Sequence, residues 1–260
     1  MGHLAPEIDE DPPVLNRLPI LLLLTAVVTG CAHRGPVVSN VQSPAALLRA
    51  AAANTAVVDD DDAVMAGVNL LGPAPQGVLV KAHAGLRAGA APKPAIISMP
   101  SPNKNDRPGD GKIDTLIMHH TSSAASAERI GGFFSKKESK VSAHFTVGKD
   151  GHIVQSVDEA QSAWHAGVSS FDGRANVNGF SIGIEMCNVG DGADPYTDDQ
   201  YKALGQLVAY ILTNYNIKWA RVTGHKDVAL PKGRKDDPSL NFSYARFKQE
   251  VLAVDPHAGM

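Results

Sequence analysis

Three histidines and a pair of adjacent aspartates set the chemistry this sequence can do. His119 and His120 stand together after the apolar run Leu116-Ile117-Met118, and His225 follows the β-rich run at 219–223. Asp236 and Asp237 lie in a downstream loop bounded by Pro231 and Pro238. Side chains alternate along a strand, so only one of His119 and His120 can enter a given site. Two histidines and one carboxylate from separate strand ends and loops suit a catalytic zinc, which takes three protein ligands and leaves a fourth position for water. With ten histidines in the chain, such a trio also arises by chance. The only cysteines, Cys31 and Cys187, exclude a cysteine-only zinc site and a disulfide-stapled scaffold, so any metal must use histidine and carboxylate.

A fourth chemical group is Glu185. In the run from Phe180 to Cys187, period-two alternation puts Phe180, Ile182, Ile184 and Met186 on one face and Ser181, Gly183, Glu185 and Cys187 on the other. The first set reads as core. The second, with small residues beside one carboxylate, is how a strand leaves room for a substrate next to a general base; a solvated face is the alternative reading.

The elements that must position these groups lie in the second half of the chain. After Lys112, β-rich runs at 113–118, 143–148, 152–157, 180–186 and 219–223 alternate with helical patterns, which predicts an α/β domain with a central mixed β-sheet flanked by helices. Asp150-Gly151 between the second and third runs predicts an antiparallel hairpin. Residues 198–215 carry one apolar helical face, with Thr197 and Gln200 spaced as a capping box. A second helix is expected over about 124–137, weakened by Gly131-Gly132. A hydrophobic fraction of 43%, a charged fraction of 20% and a net charge of −3 argue against a disordered chain and against a polybasic nucleic-acid binder.

The first half reads differently. Residues 18–28 form an apolar run too short to span a bilayer, which takes about 20 residues, but of the length of a signal-peptide core. It ends in Val28-Thr29-Gly30-Cys31, which resembles the lipobox of bacterial lipoproteins and implies lipidation of Cys31. The acidic residues Glu7, Asp9, Glu10 and Asp11 depart from a positive n-region, so translation is expected to start near Val14 or Leu15, ahead of Arg17. Residues 31–111, rich in Ala, Pro, Gly, Ser and Asn, read as the lipidated cysteine and a flexible tether, with short helices conceivable within 45–58 and 64–71. A flexible coil of this length spans on the order of 50 Å. The expected organisation is thus a signal peptide over 1–30, a tether over 31–111 and one catalytic domain over 112–255.

Six motifs in order resemble one family: MHHT (118–121), VSAHFTVGKDG (141–151), AWHAG (163–167), NGFSIGIEMCN (178–188), GHKDV (224–228) and GRKDDP (233–238). They are similar to those of the zinc-dependent N-acetylmuramoyl-L-alanine amidases related to peptidoglycan recognition proteins, over residues from about 112 to 250. The resemblance implies His119, His225 and Asp237 as zinc ligands, Glu185 as the acidic catalytic residue and Lys235 as the cationic one. His120 then takes a variable place. The loop from His225 to Asp237 is about two residues longer than the common form and Ser239 replaces a glycine, which keeps Asp236 as an alternative third ligand. Trp164, His165 and His144 are the candidate substrate-site residues, Trp164 with a core reading beside it and His144 as either a hydrogen-bond partner behind the site or a satisfied core histidine, and Asn178 is expected to order the turn before the Glu185 strand.

The resemblance implies hydrolysis of the bond between N-acetylmuramic acid and L-alanine in peptidoglycan or muropeptides, by a monomer. A non-catalytic peptidoglycan-binding module of the same fold is the alternative. A zinc peptidase of the HExxH kind is excluded because that motif is absent from the sequence. Together with the lipobox, this places the protein at the periplasmic face of a membrane, where peptidoglycan lies. Ala32 after the cysteine favours the outer membrane over the inner.

Overall fold

The computed structural model describes Val68, residues 73–81 and residues 89–260, all within one compact unit that spans 41–260. Cys31, the apolar run at 18–28 and the conceivable helix over 45–58 lie outside the described residues, as does nearly all of 64–71.

Eleven strands are described: β1 (Val78–Val80), β2 (Ile96–Ser98), β3 (Lys104–Asp106), β4 (Thr115–His120), β5 (Phe145–Val147), β6 (Ile153–Gln155), β7 (Gln161–Ala163), β8 (Ser170–Phe171), β9 (Arg174–Ala175), β10 (Ser181–Met186) and β11 (Val222–Gly224). Seven form a mixed sheet in the order β1-β2-β6-β5-β10-β4-β11. β5, β10, β4 and β11 run parallel to one another, while β5 and β6 form the antiparallel hairpin that Asp150-Gly151 predicts. The buried strands β4 and β10 are almost wholly apolar except where they carry the chemistry.

Helices cover both faces. α1 (Ala127–Phe134) is shorter than expected, because Ser126 caps its start by accepting from the Arg129 N–H and Ser135 closes it. The glycines within it serve packing: a Cβ on Gly131 would lie 2.7 Å from Val154 Cγ1. α2 (Asp198–Tyr215) begins where its Thr197 cap predicts. Its capping box is only half formed, because Gln200 donates instead to the carbonyls of Val147 and Cys187 at the ends of β5 and β10. A four-residue helix, α3 (His225–Val228), follows β11 directly, and α4 (Tyr244–Val254) packs against α2. Leu204, Leu207, Ile211, Phe247 and Val251 join Leu116, Met118, Ile182, Ile184 and Met186 in the larger core, and α1 closes a second core with Val154 and Cys187. Phe180 lies just outside β10 and packs instead with Ile117, Val177 and Val228, so strand alternation does not govern it.

The expected boundary at 111 is too far along the chain. β2 pairs with β6 inside the central sheet and β3 pairs with β7, so residues read as tether supply three strands of the domain. Lys93 meets the buried carboxylate of Glu159 at 2.8 Å, and Arg107 donates to the carbonyls of Glu159 and Ser181 at 2.8 and 2.9 Å. These are short strands between proline- and glycine-rich turns, whose pairing partners lie tens of residues away, so local composition resembles a linker. At the other end, Ala258 is fully buried and the Trp219 indole donates to its carbonyl, so the fold continues past 255.

Candidate metal centre

Parallel neighbours bring their carboxyl ends to one edge of a sheet, where open α/β sheets place ligands. In register, Glu185 on β10 sits beside His119 on β4, and Gly224, the last residue of β11, sits beside Met118. The residue after Gly224 is His225, so three strand ends deliver Glu185, His119 and His225 to one edge. The loop after α3 returns to the same place: the Lys226 N–H donates to the Asp237 carbonyl at 3.0 Å, which sets Asp237 over the two histidines.

His119, His225 and Asp237 are all buried, and one ligand atom from each lies within 4.8 Å of the others. His119 Nδ1 is 2.9 Å from Asp237 Oδ2, and His225 Nδ1 is 3.2 Å from Asp237 Oδ1. Asp236 is exposed, so it does not join them. His120 points to the opposite face of the sheet, where its Nδ1 accepts from the Ser239 N–H at 3.0 Å and holds the loop that carries Asp237. Ser239 adds a hydroxyl contact with Tyr196 at 2.9 Å. A sequence reading leaves His120 without a task, because its partner is more than a hundred residues away.

The donor set suits a cation. Nε2 of His225 faces the Ala166 carbonyl at 3.2 Å, and a carbonyl only accepts, so Nε2 carries a hydrogen, and in the neutral ring a metal ligand requires, Nδ1 is the lone pair. That lone pair points toward Asp237 Oδ1, a buried oxygen without a hydrogen-bond partner among the described residues. Two acceptors face each other across 3.2 Å, which is costly unless positive charge sits between them. Burial holds the His119 imidazole down at about 4, so it is neutral at pH 7. Burial alone would raise the Asp237 carboxyl, but the rings of His225 and His119 outweigh it and keep the group well below the usual carboxylate range. A neutral His119 and an ionised Asp237 are protonation states that a divalent metal requires of its ligands.

Glu185 and Lys235 are both buried beside this trio, and the Lys235 charge is among those that lower His119. Sequence motif and structure bring together the five residues His119, His225, Asp237, Glu185 and Lys235. The groove candidates divide. Trp164 is half-buried, its indole N–H donates to Asn105 Oδ1 at 2.6 Å, and it lines a polar pocket of about 400 Å³ with Asn105, Asp106 and Asn176. His165 is buried with both ring nitrogens engaged, 3.0 Å from His119 Nε2 and 3.1 Å from the Ser181 hydroxyl, so it has no free face for a substrate. His144 is fully buried: its Nδ1 accepts from the Gly183 N–H and its Nε2 meets the Gln161 carbonyl, each at 3.0 Å. Burial, and then the nearby Arg107 charge, hold it down at about 3, as befits a neutral core histidine. Asn178 does more than order a turn, since its Oδ1 accepts from the N–H groups of both His165 and Ala166. Burial pushes the Cys187 thiol up, which leaves it a small core residue.

Comparison with known proteins bears on this arrangement. A family profile described as N-acetylmuramoyl-L-alanine amidase matches residues 109–240. The 1,6-anhydro-N-acetylmuramyl-L-alanine amidase AmpD of Citrobacter freundii is 36% identical over 173 residues, 59% of this chain and 88% of that enzyme. The N-acetylmuramoyl-L-alanine amidase AmiD of Escherichia coli is 32% identical over 162 residues, 56% of each chain. A crystal structure of a selenomethionine AmpD derivative superposes with a TM-score of 0.52 at 33% identity, covering 66% of this chain and 99% of that one.

Proposed function

This chain belongs to the N-acetylmuramoyl-L-alanine amidase family, and from that premise we propose that it hydrolyses the amide between N-acetylmuramic acid and L-alanine with a zinc ion held by His119, His225 and Asp237. The observation that carries the metal is the buried Asp237 carboxylate set against Nδ1 of both His119 and His225, with Nε2 of His225 turned to the Ala166 carbonyl. When bound there, zinc supplies Lewis acidity toward the amide carbonyl and makes water a competent nucleophile near neutral pH.

The remaining steps belong to the chain. Glu185, in the same row of the sheet as His119, accepts the proton of the attacking water and delivers it to the departing L-alanine nitrogen. Lys235, buried at the same edge, offsets the negative charge that gathers on the carbonyl oxygen as the carbon becomes tetrahedral. Burial of both groups strengthens these interactions, because little water competes for them.

The substrate is proposed to be peptidoglycan or its muropeptides, including the 1,6-anhydro form for which the Citrobacter relative is named. The Val28-Thr29-Gly30-Cys31 motif supports a further proposal, that Cys31 is lipidated and holds the enzyme at the periplasmic face of a membrane, the outer one in preference. The test is digestion of purified sacculi and of purified muropeptides, with and without the anhydro sugar, by the full chain with and without chelator, read by mass analysis. Free stem peptide beginning at L-alanine, abolished by chelator and restored by zinc, is expected. Binding without release under zinc-replete conditions would overturn this reading in favour of a recognition module.

A further inference from the structure

Resting on the zinc reading above, the geometry points to the segment His165-Ala166 as the device that fixes the tautomers of both histidine ligands, with His165 and Ser181 as positioning residues rather than substrate contacts. Ser181 Oγ lies 2.7 Å from the Val177 carbonyl, which can only accept, so the single hydroxyl hydrogen is spent there. Toward His165 Nε2, at 3.1 Å, the same oxygen is therefore an acceptor, and Nε2 carries the hydrogen. His165 Nδ1 is then a lone pair. The 3.0 Å contact between His165 Nδ1 and His119 Nε2 has room for one hydrogen, which must come from His119. His119 is thereby the Nε2–H tautomer and presents Nδ1, the atom that faces Asp237, as a lone pair.

The backbone of the next residue does the same for the second ligand, since the Ala166 carbonyl takes the Nε2 hydrogen of His225. The segment is itself held at its N–H groups by Asn178 Oδ1, at 3.2 and 2.8 Å. The His165 ring has its place because position 183 has no side chain: a Cβ on Gly183 would lie 2.4 Å from His165 Cγ.

The chain of bonds has one competing arrangement. If His119 placed its hydrogen on Nδ1, toward Asp237, then His165 would have to donate from Nδ1 and Ser181 would have to donate to His165, abandoning the Val177 carbonyl. The Ser181 bond to Val177 is what disfavours that reversed chain, and the reversed chain cannot coordinate a metal through His119 Nδ1. Groups that orient histidine ligands typically alter metal affinity by about 10- to 100-fold when removed.

The test uses the full chain and three variants: His165→Leu, which removes the acceptor but keeps bulk; His165→Asn, which returns an oxygen acceptor near the Nδ1 position; and Ser181→Ala, which frees the chain to reverse. Zinc affinity is measured by competition with a chromophoric chelator, cobalt substitution reports the ligand field, and ¹⁵N imidazole spectra of the metal-free protein report which nitrogen of His119 is protonated. Expected are a loss of zinc affinity of about 10- to 100-fold in His165→Leu and recovery of most of it in His165→Asn. In Ser181→Ala, weaker zinc binding is expected together with movement of the His119 hydrogen from Nε2 to Nδ1. Should His165→Leu fail to fold, the small change in Ser181→Ala carries the test alone. A wild-type chain that binds zinc tightly while the variants match it, or whose metal-free His119 is protonated at Nδ1, would overturn this inference and leave the zinc reading intact. A wild-type chain that holds no zinc would overturn the zinc reading, and this inference with it.

Discussion

At the scale of single residues, the proposed mechanism separates groups that bind from groups that react, and the two sets are expected to fail differently when altered. Glu185→Gln keeps shape and removes the base, so turnover is expected to fall by about 10²- to 10⁴-fold while the zinc content measured by atomic absorption stays that of the wild type. Asp237→Asn removes a charged ligand and is expected to lose zinc and activity together. The exposed neighbour, Asp236→Asn, is expected to keep both, with stability changed by less than about 0.5 kcal/mol. The histidines also make the metal-free protein acid-sensitive. His119 and His144 are held at about 4 and about 3 against an ordinary 6.5, so between those values the unfolded chain binds protons that the folded chain refuses. Stability therefore falls as pH falls from about 6.5 toward 4, and Asp237, with its depressed carboxyl, adds a loss of the same sign at still lower pH. Urea midpoints of the chelated protein at pH 7 and pH 5 check this: a lower midpoint at pH 5 is expected, and equal midpoints would contradict it.

At the scale of elements, the parallel pair β4 and β10 does the positioning. Their register places Glu185 beside His119, and the one strand position without a side chain, Gly183, gives the His165 ring its seat. Gly183→Ala is expected to cost about 1–3 kcal/mol by overpacking, and to weaken zinc binding because the displaced ring is the partner of His119. Thermal unfolding with and without zinc would show both effects. Strand alternation over Ser181–Met186, the Asp-Gly hairpin and the Thr197 cap are legible along the chain because each rests on residues within a few positions of one another. The roles of His120, Asn178 and Ser181 are not, because each depends on which distant backbone atom arrives beside it.

At the scale of the whole molecule, the amidase domain recruits the segment that reads as linker. A fragment over 112–260 lacks β1, β2 and β3 and the anchors Lys93 and Arg107, and exposes the β6 edge that β2 covers. Its melting temperature is expected to lie at least about 4 °C below that of the full chain, as a loss of 2 kcal/mol or more would produce. A fragment as stable as the full chain would contradict the sheet order. The lipid anchor is tested in cells: labelled palmitate is expected on the wild-type chain, and Cys31→Ala is expected to move the protein from the membrane fraction to the soluble one.

The sequence by itself determined the residue types of the site, their order and the class of fold, because catalytic groups sit in short motifs and strands announce themselves by period. Tertiary structure alone decided three things. It chose Asp237 over Asp236, by burying one and exposing the other. It turned His165 from a groove candidate into a buried partner of His119, and it gave His144 the Gly183 backbone as its partner. And it moved the start of the domain upstream, to strands whose hydrogen bonds close only with β6 and β7. The physical reason is common to all three: burial and hydrogen-bond pairing are properties of what arrives from elsewhere in the chain, and local spacing does not encode them.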